Sequence, residues 1–214
     1  HRRFIREMVA TSNLSESEAK ATVVNIMGNS ETAAIQTLNR YIPNPEAEVT
    51  KLLQLSGGKV SISHFKRSDD RAFHQRIGKR SLINTGNSCD VTTLWHEIGH
   101  AFEAQNDRVL GMAKNYLIGR LGSQQKVKAD REGRQFQTMN ALSGRNVYGD
   151  AEVAIDDHFF DKYIGKIYNT YTSTIDTYPD QGYDNAVAVI NNCRSTEVIS
   201  MGMQFFHNEF TAET

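Results

Sequence analysis

His96-Glu97-Ile98-Gly99-His100 sets two imidazoles four residues apart, with a carboxylate beside the first. On a helix, residues i and i+4 stand one turn apart on one face, so His96 and His100 can aim neutral ring nitrogens at a single ion. Glu97 leans to the side of that face. There it can accept a proton from a water on the ion without being a ligand. The pair suits zinc, which lowers the pKa of a bound water to about 7 and polarises a scissile carbonyl. The plainer alternative is two surface histidines on an amphipathic helix.

Catalytic zinc sites keep three protein ligands and a water, so a third ligand is needed. A metzincin would place it on a His six residues after His100, with Gly at the third position. Those positions hold Asn106 and Glu103, which excludes that family. Far downstream, Ser195-Thr196-Glu197-Val198-Ile199-Ser200-Met201-Gly202-Met203-Gln204-Phe205-Phe206 carries one carboxylate in an apolar run. With the histidine motif, this element resembles the gluzincin zinc metallopeptidases, whose third ligand is a Glu on a later helix. The resemblance covers the two motifs and their surroundings, about half the chain, and the interval from His100 to Glu197 is longer than in compact thermolysin-like members. It implies a zincin-like fold, zinc on His96, His100 and Glu197, and Glu97 as general base. Burial supports the Glu197 assignment, because an unpaired buried carboxylate is costly and a metal relieves the cost. An ion pair with Arg194 or another base is the alternative. The downstream element with Tyr163-Ile164-Gly165-Lys166-Ile167-Tyr168 also resembles metallopeptidase-like regions of phage head-associated and toxin-like polyproteins.

Glu103 shares the histidine face one turn on and suits a hydrogen bond to a ligand histidine better than ligation. Asp156, Asp157 and His158 form a polar cluster that is either a metal site or a loop cap, and Glu152 with these two aspartates rivals Glu197 as third ligand. Gluzincins often use a Tyr or His to stabilise the oxyanion, which makes Tyr163, Tyr168, Tyr171, His158 and His207 candidates. Tyr168 is preferred, on the expectation that Gly165 gives its loop freedom to approach the site; the alternative is that these tyrosines pack the loop. Cys89 and Cys193 are open to three readings: buried thiols, a bridge between the two motif helices, or an inhibitory thiolate on zinc.

The elements that must position these residues read as follows. Ser15 and Glu18 have capping-box spacing ahead of a helix that Gly28 stops. Helices are expected over Glu31–Tyr41, ended by Pro43 and Pro45, and over Glu46–Leu55, closed by Gly57-Gly58. Lys59 to Phe65 alternates apolar and polar residues as a half-buried strand does, and Ser81 to Asn84 is a second strand after a polar, basic stretch from Lys66 to Lys79. The motif helix starts near Asp90 or Val91 and runs to about Gln105. Val91, Leu94, Trp95, Ile98 and Phe102 fall on one face, and His96, His100, Glu103 and Asp107 on the other. Helical segments are expected over Val109–Leu121 and Gln124–Met139, a strand over Ala151–Ile155, irregular chain over Tyr163–Tyr178, and a long final helix over Asp184–His207. The chain is α+β: a mostly helical single domain with a small sheet beside the motif helix, or an N-terminal helical lobe over 1–57 followed by a catalytic region over 58–214.

With 214 residues, 24 Lys and Arg against 25 Asp and Glu, the chain has no bulk charge to recruit nucleic acid or membrane surfaces. Arg2, Arg3 and Arg6 read as a solvated helix face. No apolar run approaches the roughly 18 residues of a membrane helix. A soluble protein is expected, either cytoplasmic or delivered or secreted within a larger chain. The first residue is His1, which leaves a signal peptide, pro-region or parent chain open. The function expected is a zinc-dependent peptidase, an endopeptidase receiving an extended protein or peptide substrate as an added strand beside Val60–Phe65. The alternatives are a zinc hydrolase of a non-protein substrate and a non-catalytic metal-binding module of a larger assembly.

Overall fold

The computed structural model describes residues 13–128, 136–149, 152–155, 159, 161–168 and 183–211. Arg2, Arg3, Arg6, Asp156, Asp157, His158 and Tyr171 lie outside them. The fold is α+β, as the patterning implied, and it divides into two compact units, residues 1–106 with 202–214 and residues 107–201. Among the described residues no helix is long and apolar enough to cross a membrane.

The first unit opens with three helices, α1 (Glu16–Gly28), α2 (Thr32–Tyr41) and α3 (Pro45–Leu55). Ser15 and Glu18 form the capping box of α1. Pro45 begins α3 rather than ending α2, since a ring-locked φ and a missing N–H suit the first helical position. Then come β1 (Ile62–Lys66), β2 (Phe73–Ile77), β3 (Arg80–Asn84) and the motif helix α4 (Val91–Gln105). The sheet order is β1-β3-β2, with β1 parallel and β2 antiparallel to β3. β2 falls in the stretch read as polar and basic. Four of its five residues are exposed, so it lacks the alternation that a half-buried strand leaves in sequence. Gly78, at φ +60, turns β2 into β3.

Phe65, Ile83, Leu94, Trp95 and Ile98 pack with Leu38, Val49 and Leu52 in the core, covered by Met203 and Phe206 from the chain's last helix. Burial of each such side chain contributes about 1.5–3 kcal/mol, which fixes the apolar face of α4.

The second unit holds α5 (Asp107–Lys128), β4 (Phe136–Thr138), α6 (Met139–Ser143), β5 (Val153–Ile155), a 3₁₀ turn (Lys162–Gly165), β6 (Lys166–Tyr168), α7 (Tyr183–Asn192) and β7 (Ser195–Thr196). The strands form one antiparallel sheet in the order β4-β5-β6-β7. Two helical expectations are corrected here. α5 runs through Gly122 to Lys128, and Phe136–Thr138 is a strand because Phe136 is buried opposite Ile155. The expected helix over Asp184–His207 is two helices, α7 and α8 (Val198–Thr211), split by β7. In the interruption the N–H groups of Arg194 and Glu197 donate to the carbonyls of Tyr168 and Lys166, so pairing with β6 replaces helical bonds. No Gly or Pro announces that break.

Candidate metal centre

α4 is anchored along its length within the first unit. Asp90 caps its start, accepting from the Thr93 N–H at 2.7 Å. Trp95 Nε1 donates to Glu48 Oε2 at 3.0 Å. At the far end Gln105 accepts from the Ser61 N–H at 2.9 Å and donates to Ser61 O at 3.0 Å and Ser81 Oγ at 2.7 Å. Arg76 of β2 donates to the Ala104 carbonyl at 2.9 Å, a cation placed where a helix C-terminus favours one.

The histidine face is not the solvated one that an amphipathic surface helix would show. Glu97, His100 and Glu103 are all buried, and His96 is partly so. The two imidazoles stand edge to face, their centroids 4.9 Å apart. His96 Nδ1 lies 3.1 Å from Gln204 Oε1. An amide oxygen only accepts, so Nδ1 carries the proton and Nε2 presents the lone pair.

Glu197 stands at the start of α8 rather than inside a longer helix, its carbonyl accepting the Met201 N–H at 3.0 Å. A helix N-terminus favours negative charge there. Its residue is fully buried and its carboxylate accepts from two hydroxyls: Tyr168 Oη donates to Oε1 and Ser200 Oγ to Oε2, each at 2.5 Å.

One ligand atom from each of His96, His100 and Glu197 can be chosen so that all lie within 4.8 Å of one another. Two neutral imidazoles and one carboxylate are a donor set that fits a divalent metal ion. The three residues thus make a possible metal-binding site.

Comparison with protein-family models, with curated proteins and with solved structures finds no match. The site therefore stands on its own geometry.

Other expected site residues fall elsewhere. Glu152 accepts from Lys166 Nζ at 2.6 Å, which gives that carboxylate a buried cation as partner. Tyr163 accepts from the same Nζ at 3.1 Å and stacks near Tyr148. His207 packs against Trp95, their ring centroids 5.4 Å apart, on the apolar side of α4. The reason given for Tyr168 is corrected. Gly165 is buried, and a Cβ there would come within 2.6 Å of the Ile155 carbonyl oxygen, so this glycine permits close packing rather than loop movement.

Cys89 and Cys193 are both unbridged and lie in different cores. Burial, then the charges of Glu97 and Asp90, push the Cys89 thiol up to about 12.

Three residues of the site were not anticipated. Gln204 follows Glu197 by seven residues, two helical turns, and that spacing was available. Lys166 alternates with Tyr168 on one face of β6, a signal carried by one charge among Ile164, Ile167 and Tyr168. His74 of β2 hydrogen-bonds Ser81 Oγ at 2.7 Å, and it lay in the strand that the sequence hid.

Proposed function

We propose that this chain is a zinc-dependent peptidase of gluzincin type, with His96, His100 and Glu197 as ligands and Glu97 as general base. The convergence of those three donors, with Glu97 next to the first on a buried helix face, carries the reading. Zinc held there would supply Lewis acidity to an attacking water and to the scissile carbonyl.

The chain's own residues do the rest. Glu97 accepts the proton of the attacking water and returns it to the leaving amine nitrogen. Gln204 keeps the His96 proton on Nδ1, and Glu197 stands at the α8 N-terminus, where negative charge is favoured. An extended substrate suits the β2 edge of the first sheet better than β1. The Phe65 N–H and C=O of β1 are already bonded, to Ser30 Oγ at 2.8 Å and the Glu31 N–H at 3.0 Å. β2 is the opposite edge.

The test is cleavage of a peptide library by zinc-loaded parent and Glu97→Gln proteins. The parent should cleave and the variant should lose at least about a hundredfold in turnover with zinc content unchanged. Equal cleavage by both would remove Glu97 from the mechanism. Full zinc occupancy with no cleavage by the parent would favour a metal-binding module.

A further inference from the structure

Glu197 is one end of a buried hydrogen-bonded chain that lies wholly within the second unit. At the other end is Lys166, a lysine with no exposed surface, on the interior strand β6. Burying an ammonium is costly unless every proton finds an acceptor. Lys166 Nζ meets that demand with three acceptors: Glu152 Oε1 at 2.6 Å, Tyr163 Oη at 3.1 Å and Tyr168 Oη at 3.1 Å. The Tyr163 and Tyr168 rings also flank it, their centroids 4.8 Å and 4.5 Å from Nζ.

The donor inventory fixes the direction of this chain. An ammonium has three donors and no acceptor, so the Tyr168 oxygen must accept from Lys166. Tyr168 has one proton, and it must then point the other way, to Glu197 Oε1 at 2.5 Å. Ser200 Oγ donates to Oε2 at 2.5 Å, so both carboxylate oxygens accept from hydroxyls. The backbone reinforces the arrangement. The Glu197 N–H donates to the Lys166 carbonyl at 3.2 Å, tying strand and carboxylate together.

We infer that Lys166 and Tyr168 are positioning residues for Glu197: Lys166 orients the Tyr168 hydroxyl, and that hydroxyl sets the carboxylate rotamer in which Glu197 serves as a ligand. The inference rests on the metal reading above. It gives Lys166, which bonds neither histidine, a reason to be buried. It also assigns the Tyr168 proton to the ligand rather than to a substrate oxyanion. Hydrogen-bonded partners of metal ligands characteristically contribute 10- to 100-fold in metal affinity.

Lys166→Met would remove the buried cation beside Glu152 and disturb the fold, so the decisive variant is Tyr168→Phe, which keeps the ring and removes one hydroxyl. Zinc affinity is measured by chelator competition for the parent, Tyr168→Phe, Glu197→Gln and the double variant, with circular dichroism checking the fold of each. Tyr168→Phe should weaken zinc binding about 10- to 100-fold in the parent, and by less than about twofold in the Glu197→Gln background. A general packing role would weaken binding equally in both backgrounds. Parent-like affinity in Tyr168→Phe, with Glu197→Gln weakened, overturns this inference and leaves the metal reading intact. Parent-like affinity in Glu197→Gln and in a His96→Ala control takes down the metal reading and the inference with it.

Discussion

Gln204 Oε1 lies 3.1 Å from His96 Nδ1, and Gln204 follows Glu197 by seven residues, so one helical stripe carries both a candidate ligand and the residue that orients another. Seven residues bring a helix back to within about 20° of the same bearing. The histidine tautomer and the carboxylate position thus depend on the same helix, α8. Gln204→Leu keeps the side chain's bulk and removes the acceptor. It should weaken metal binding by about 10- to 100-fold with secondary structure unchanged, read by chelator competition and circular dichroism. Parent-like affinity would mean that packing alone orients His96.

Gly165 makes a prediction that separates close packing from loop freedom. A Cβ at this position would meet the Ile155 carbonyl oxygen at 2.6 Å and Phe159 Cε2 at 2.9 Å. The first of these is backbone and cannot rotate away. Gly165→Ala should therefore destabilise the protein by about 1–3 kcal/mol, seen as a lowered denaturant midpoint at constant slope. An unchanged or raised midpoint, as expected for a glycine in a loose loop, would contradict the packing account.

His74 should give the folded state an acid-sensitive step. In the metal-free protein, burial first, then repulsion from His100 and Arg76, pushes its pKa down to about 4 from the ordinary value near 6.5. Between those two values the unfolded chain binds a proton that the folded chain does not. Stability therefore falls as pH drops from about 6.5 to about 4, by at most about 3 kcal/mol. Denaturation midpoints across this range should show the decline in the parent and a shallower one in His74→Gln. Parallel profiles for the two proteins would remove His74 as its source.

What the sequence made legible was whatever had a short-range signature. The capping box at Ser15 and Glu18, the boundaries of α4 and its apolar face are local patterns, and all stand in the structure. The division between α7 and α8 was hidden because its cause is non-local: the chain from Arg194 to Glu197 pairs with β6, some thirty residues earlier, and no Gly or Pro marks the break. β2 was hidden for the opposite reason, since an exposed edge strand buries nothing that would leave a period in the sequence. The hydroxyl donors of Glu197 were hidden as well, since neither Tyr168 nor Ser200 carries a charge to mark it as a partner.

The most direct test of the central claim is zinc content and affinity in Glu197→Ala beside the parent, His100→Ala and Glu97→Gln. The parent should bind about one zinc, the Glu197→Ala and His100→Ala proteins should each lose it by at least about a hundredfold in affinity, and Glu97→Gln should bind as the parent does. Parent-like affinity in Glu197→Ala would show that the buried carboxylate is no ligand, and the assignment of this site as a gluzincin-type zinc centre would fall.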